Sequence, residues 1–261
     1  MRNLQYSLNI PRQKTTPNKG MVITTSTLKS YPEALVFGLG DLAYGRGEPV
    51  AFNDCYDPYW GAAKSRTWPA PGNHEYKSPG AYGYFDYWQE RAGPDRAGYY
   101  ALRSQNWLIF SLNSEIDASS GSAQAAWIKE MIKAKPDSCI GAFYHRPAYS
   151  TITRSGSEDA QRLFQIMADS GARFVLNGHN HFYERSKPLD GMGNPSEDGT
   201  INFIVGAGGK TTSEKIEPAD FTDQLITNAA GVLKLDFSSD SVAWTYLTEQ
   251  NTTESGMLSC G

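Results

Sequence analysis

The chain has 261 residues, of which 39% are hydrophobic and 20% charged, with a formal net charge of −4. That much apolar material builds a sizeable core and excludes a mostly disordered chain. The acidic balance lacks the basic excess of a dedicated nucleic-acid binder, and no apolar run approaches the ~18 residues that span a bilayer, so neither a nucleic-acid nor a membrane partner is expected.

Residues 1–20 are polar and proline-containing, without a clear period, and contain no apolar stretch that reads as a secretory signal. Residues 1–23 are therefore expected to be an atypical, poorly ordered segment, and residues 24–261 a single domain. A short helix is expected from Thr24 to Leu35, with Pro32 near its end. The apolar run Ala34–Leu39 stops at Gly40-Asp41, the pattern of a buried strand followed by a functional loop. Thr67–Pro71 leads in the same way into Gly72-Asn73-His74-Glu75. Trp107–Leu112 is a strong strand candidate, and Gly121–Ala134 reads as a helix with Trp127, Ile128, Met131 and Ile132 on one face. A strand Cys139–Tyr144 ends at His145, a helix Glu158–Ser170 buries Leu163, Phe164, Ile166 and Met167, and a strand Arg173–Leu176 runs into Gly178-His179. Further strands are expected at Ile201–Val205, Gly231–Phe237 and Val242–Thr248. Strands alternating with helices argue an α/β fold, and the closing strands, with no helix between them, argue that part of the sheet is antiparallel.

The chain has four histidines, His74, His145, His179 and His181, and each follows an expected strand in a loop with glycine or proline close by. In open α/β sheets the ligand site lies beyond the carboxyl ends of the strands, so all four can converge on one rim. Asp41 offers a carboxylate able to bridge two cations, Tyr44 a phenol able to bind a hard trivalent ion, Asn73 an amide oxygen, and His145, His179 and His181 imidazole nitrogens. Such mixed oxygen and nitrogen donors suit iron, zinc or manganese. Two cations ~3.5–4 Å apart can hold a phosphate and activate water for in-line attack. His74, directly after Asn73, is free to act as an acid toward a leaving alkoxide.

The segments Gly40-Asp-Leu-Ala-Tyr44, Gly72-Asn-His-Glu75, Tyr144-His-Arg-Pro-Ala-Tyr149 and Gly178-His-Asn-His-Phe-Tyr-Glu-Arg185 resemble the successive motifs of the calcineurin-like metallophosphoesterases. Tyr44 and the His-x-His-x-Tyr-Glu-Arg form resemble the purple acid phosphatase branch, over roughly residues 24–250. The resemblance implies a four-layer αββα sandwich of two mixed sheets. It implies a dinuclear centre of Fe(III) with Fe(II), Zn(II) or Mn(II), in which Asp41 bridges, Tyr44 and His181 lie on the first metal, and Asn73, His145 and His179 on the second. It further implies hydrolysis of a small phosphate monoester by a metal-bound hydroxide, with His74 as proton donor and Asn73, His74 and Tyr183 toward the substrate. A phosphodiesterase or nucleotidase on the same scaffold is the alternative. Glu184 and Arg185 read as groups orienting a histidine or the phosphate, or as a surface ion pair, and Tyr183 as a pocket wall or a core residue.

The chain departs from the family at its start. The family carries an aspartate after an earlier strand, but residues 1–40 hold no aspartate or histidine and only one acid, Glu33. The first strand is therefore expected to be missing or altered, and the first metal site weakened. A truncated form, one tight and one weak site, and a relative that binds metal or phosphate without turnover all fit this departure. Members of this kind are usually exported, which leaves the compartment open for a chain without a recognisable signal. Gly208-Gly-Lys-Thr211 lacks the spacing of a phosphate-binding loop, since Ile204 stands where a glycine is needed. The three cysteines, Cys55, Cys139 and Cys260, match no zinc spacing and leave a disulfide possible without specifying it.

Overall fold

The computed structural model describes residues 19–152, 156–212, 215–249 and 254–260; the expectation for residues 1–18 lies outside them. The first helix, α1 (Lys19–Ser30), begins five residues before the expected start, so residues 19–23 are helical. It ends where Pro32 forbids continuation. Strand β1 (Val36–Leu39) pairs in parallel with β2 (Thr67–Ala70). The long connection between them is coiled into short turns, including α2 (Pro49–Ala51) and α3 (Asp57–Trp60). Together with α4 (Tyr82–Trp88) it buries Phe52, Tyr56, Tyr84, Phe85 and Trp88 in a separate aromatic cluster.

A seven-stranded mixed sheet follows, in the order β3 (Tyr100–Ser104), β4 (Trp107–Ser111), β5 (Cys139–Tyr144), β6 (Phe174–Asn177), β8 (Ile201–Val205), β7 (Tyr183–Ser186), β9 (Thr222–Ile226). Its centre, β4-β5-β6-β8, is parallel. Parallel neighbours need a crossover, and α5 (Ala123–Lys133) and α6 (Glu158–Asp169) supply the first two. Both helices are N-capped by serine, Ser122 accepting from the Ala125 N–H and Ser157 from the Ala160 N–H. Ile128, Leu163, Phe164 and Met167 on these helices pack against Leu108, Phe110, Ile140, Ala142 and Val175 of the sheet. Replacing one such leucine by alanine typically costs about 2–5 kcal/mol, so this layer is the rigid support of the strand ends.

Among the described residues the second sheet is in two pieces: the pair β1-β2, and an antiparallel sheet of β10 (Gly231–Phe237), β11 (Ser241–Thr248) and β12 (Glu254–Ser259). Phe37, Leu39 and Trp68 from the first piece and Leu233, Leu235, Trp244 and Tyr246 from the second pack against Ile109, Phe143, Phe174, Leu176 and Phe203 of the large sheet. The layers are thus helix, sheet, sheet and helix, the last being α1. Cys139 at the head of β5 and Cys260 beyond β12 form a disulfide, with Cα atoms 5.4 Å apart, that ties the two sheets together. It closes a loop of 121 residues, so Cys260→Ser is expected to cost about 2–5 kcal/mol of stability. Urea denaturation reads this as a lower midpoint; an unchanged midpoint counts against the cross-link.

Candidate metal centre

The parallel strands end along one rim, and that rim carries the expected donors. Asp41 follows β1, Asn73 follows β2, His145 follows β5 and His179 follows β6. The turns are tight enough to dictate their glycines. A Cβ on Gly40, which has φ +78°, would come within 2.5 Å of the His145 ring, and one on Gly72 within 2.5 Å of the Asp41 backbone nitrogen. Asp41 itself has φ +51° and His179 φ +66°, left-handed conformations that cost a side-chain-bearing residue energy. Strain of this kind collects where surrounding contacts hold a functional side chain in place.

His145 is fully buried, and its Nδ1 lies 2.8 Å from the Leu39 carbonyl oxygen, which makes Nδ1 the hydrogen-bearing nitrogen. Its Nε2 faces Asn73 Oδ1 at 3.0 Å, Asp41 Oδ2 at 3.3 Å and His179 Nδ1 at 3.1 Å. One nitrogen cannot serve three acceptors through a single hydrogen. The converging lone pairs instead describe a place for a cation, and among the described residues Asp41, His145 and His179 offer donor atoms within 4.8 Å of one another. This donor set fits a divalent transition-metal ion, with the Leu39 carbonyl fixing the His145 tautomer as outer partners of metal-binding histidines do.

The titration of these groups follows from the same packing. Burial would raise Asp41, but His145 and the His74 N–H outweigh it and hold the carboxyl at about 2. Burial pulls His145 down, and Asp41 overrides that and leaves it above its ordinary value. His179 is pushed down to about 4 by burial, assisted by the charges of His145 and Arg146. His181 is lowered by burial and by Lys210. Desolvation, with Asp41 and Glu75 nearby, raises the Tyr44 phenol.

Tyr44 and His181 form a second, more open group beside the first, with Tyr44 Oη 3.0 Å from His181 Nε2. The His74 ring packs against Tyr44, with ring centroids 4.5 Å apart. His74 Nδ1 lies 3.0 Å from the Gly45 carbonyl oxygen, and its Nε2 lies 2.9 Å from Lys77 Nζ. All seven expected ligand and acid residues therefore lie along one rim: His145 with Asp41, Asn73 and His179 around its Nε2, and Tyr44, His74 and His181 beside them.

The more distant expectations separate. Side chains alternate along β7, so Tyr183 and Arg185 point one way and Glu184 the other. Tyr183 is fully buried between the sheets, stacked on Tyr246 with centroids 4.1 Å apart and donating to Glu254. Of its two expected roles, the geometry matches the core residue and corrects the substrate-facing one. Arg185 pairs with Glu254 at 2.7 Å and with Asp223 at 2.6 Å, contacts on β12 and β9. Glu184 accepts from Ser150 Oγ and the Thr151 N–H, both at 3.1 Å, and Ser150 in turn accepts from Asn180 Nδ2 at 2.7 Å. Glu184 thereby braces the turn that carries His179 and His181.

Two residues escaped the sequence reading. Glu75 is fully buried and accepts from the backbone N–H groups of Asp41 at 2.9 Å, Gly72 at 2.8 Å and Ala43 at 3.1 Å. It joins the loop after β1 to the loop after β2. Burial, then the Asp41 charge, pushes its carboxyl up to about 7 against the pull of those N–H donors. Lys77 stands against His74, one helical turn on. The signal for Glu75 was its place in Gly72-Asn-His-Glu75; Lys77 gave none.

A match to the Calcineurin-like phosphoesterase family covers residues 25–183. An uncharacterised protein of Mycobacterium tuberculosis is 28% identical over 216 residues, which is 65% of this chain and 41% of that protein. Purple acid phosphatase 15 of Arabidopsis thaliana is 26% identical over 191 residues, 64% of this chain and 36% of that protein. The chain thus spans about two fifths of the length of the curated relatives it matches. Among solved structures, purple acid phosphatase PPD1 from yellow lupin (Lupinus luteus) seeds superposes with a TM-score of 0.74 at 20% identity, covering 93% of this chain and 49% of that one. GAP50, the anchor in the inner membrane complex of Plasmodium, gives a TM-score of 0.71 at 11% identity, covering 94% of this chain and 86% of that one. With the αββα layers and the rim of donors in place, the chain belongs to the calcineurin-like phosphoesterase family, and its likeness within that family runs to the purple acid phosphatases.

Proposed function

We propose that this chain hydrolyses small phosphate monoesters in a metal-dependent reaction. The observation that supports this most is the convergence of Asn73 Oδ1, Asp41 Oδ2 and His179 Nδ1 on His145 Nε2. These four residues would hold one cation, and Tyr44 and His181, together with Asp41, a second. Bound there, cations such as iron, zinc or manganese would polarise the phosphoryl oxygens and lower the pKa of a water molecule. The remaining work falls to the protein. Asn73 orients the phosphate, and His74, braced by the Gly45 carbonyl, supplies a proton to the departing oxygen. Exposed Lys77 adds positive charge where the dianionic ester enters.

Hydrolysis of an aryl phosphate by purified protein supplied with iron, zinc and manganese tests this reading. Turnover with at least one of them supports it, and none with any of them in folded protein overturns it. His74→Ala is expected to slow alkyl phosphates by about 10²–10⁴-fold and activated aryl phosphates far less, because only the poor leaving group needs the proton. Equal losses on both would remove His74 from the acid role. A second reading, of a metal-binding relative without turnover, draws support from the Tyr44–His181 pair. These two donors bond to each other, outside the compact Asp41, His145 and His179 group.

A further inference from the structure

The glycine-rich segment Gly208-Gly-Lys-Thr211 has no part in the reaction described above, yet the topology brings it to the same rim. It follows β8, and β8 is parallel to β6, so the loop after β8 emerges beside the turn that carries His179 and His181. The Gly206 N–H donates to the Phe182 carbonyl at 3.2 Å and the Thr212 N–H to the His181 carbonyl at 3.0 Å, which fastens both ends of the loop to that turn. Its middle is held from elsewhere. Thr24 Oγ1 on α1 donates to the Gly208 carbonyl at 2.7 Å, and a Cβ on Gly20 would come within 2.6 Å of the Gly209 carbonyl oxygen. The Gly231 N–H at the head of β10 donates to the Ala207 carbonyl at 3.3 Å. These contacts fix where the next residue, Lys210, leaves the backbone.

Lys210 lines the same cavity as Asp41, Tyr44, His179 and His181. His181 is held below its ordinary value by burial and then by the Lys210 charge, ahead of every other charge, so the ammonium stands close to that ring. Lys210 is exposed, and among the described residues no carboxylate pairs with it. The N–H groups of Gly208, Gly209, Lys210 and Thr211 donate to no described carbonyl. Unused N–H groups in succession beside an ammonium can hold an anion even without the spacing of a nucleotide-binding loop. A line of contacts joins Lys210 to the site's other exposed lysine. Tyr44 Oη lies 3.0 Å from His181 Nε2, the Tyr44 ring packs on His74, and His74 Nε2 lies 2.9 Å from Lys77 Nζ. Cations thus stand at both ends of this group, and the Tyr44 ring between them is exposed, which leaves the way from one to the other open. Lys77 already faces the phosphate whose ester is cleaved. A second cation matches a second anion.

We propose that Lys210, with the unused N–H groups of its loop, binds a second phosphate on the substrate, so that the preferred esters carry two phosphates on one small scaffold. The leaving group departs beside His74 and extends over the Tyr44 ring, which brings its own phosphate to Lys210. This inference rests on the monoesterase reading and adds a substrate class to it.

Fructose 6-phosphate and fructose 1,6-bisphosphate, compared by kcat/KM with metal supplied, test it. The bisphosphate is expected to be preferred by about tenfold, through KM, beyond the statistical gain of a second ester group and in line with one added charge-assisted contact. Lys210→Gln is expected to abolish the preference and Lys210→Arg to keep it. Lys77→Gln is expected to slow both esters alike, because it faces the phosphate they share. Equal kcat/KM for the two esters in the unaltered chain overturns the proposal. So does a preference that survives Lys210→Gln, or a Lys210→Gln loss that falls equally on both esters. Absence of turnover with every metal is a failure of the catalytic reading instead, and isothermal titration of the two esters into zinc-loaded protein then decides the role of Lys210. Tighter binding of the bisphosphate by the unaltered chain, lost in Lys210→Gln, upholds it, and equal binding overturns it.

Discussion

Asp41→Asn is expected to reduce metal affinity and phosphate-ester hydrolysis by more than about 100-fold, the upper range for losing a group that merely orients a metal ligand. The substitution is chosen to leave the backbone alone. Asp41 sits at φ +51°, a conformation that asparagine tolerates as well as any residue with a side chain. The amide oxygen can keep the 2.8 Å bond that Oδ1 accepts from the His74 N–H. The amide nitrogen then replaces Oδ2, 3.3 Å from His145 Nε2, and donates to the nitrogen that would otherwise face a cation. The amide meets the hydrogen bonds of the site but loses the attraction of the Asp41 carboxylate for His145, so the metal-free variant should melt somewhat lower than the metal-free parent and gain less from added metal. Isothermal titration with zinc and manganese, beside thermal melts with and without metal, measures both quantities. A variant that binds metal as tightly as the parent would remove Asp41 from the centre of the site.

The parts of the fold that hydropathy revealed are those whose burial is uniform. β4, β5 and β8 are buried along almost their whole length, read as apolar runs (interrupted in β8 by Asn202), and lie within a residue of the expected bounds. β7 (Tyr-Glu-Arg-Ser) and β9 (Thr-Asp-Gln-Leu-Ile) gave no such signal. Their polar side chains are held by particular partners, Arg185 by Asp223 and Glu254, and Glu184 by Ser150, Thr151 and Thr222. A period-2 pattern carries no trace of such pairs. α1 starts earlier than expected because its first turn, Lys-Gly-Met-Val, carries a glycine, a poor helix former, that packs closely against the Gly209 carbonyl. The proposed metal donors are legible in the sequence for a topological reason. Parallel strands present their carboxyl ends on one side, so residues just after β1, β2, β5 and β6 must gather, however far apart they stand in the chain. Chain order could not show which of them pack on His145 Nε2 and which stand off with Tyr44. Nor could it show that Tyr183 turns inward, because a one-residue step along a strand reverses the face.

Glu75→Ala is expected to be the most damaging substitution to stability near the site, at about 3–5 kcal/mol. A buried N–H left without a partner costs about 1–3 kcal/mol, and this change orphans three, at Asp41, Ala43 and Gly72. Some repair by water entering the vacated space holds the sum below three full penalties. Glu75→Gln discriminates further. Oε2 accepts from both Asp41 and Gly72, and an amide oxygen placed there keeps both bonds. The amide nitrogen must then take the position of Oε1, where the Ala43 N–H points at it from 3.1 Å and donor meets donor. One lost bond instead of three predicts a cost of about 1–3 kcal/mol for glutamine. Denaturant unfolding of the metal-free proteins should therefore order them as parent, Gln, Ala, in falling stability. Activity should follow the same order, because Glu75 fixes the distance between the turn carrying Asp41 and the turn carrying Asn73 and His74. Were alanine to leave the unfolding midpoint unmoved, the two turns would be held by something other than this carboxylate, and the placement of Asp41 would need a different cause.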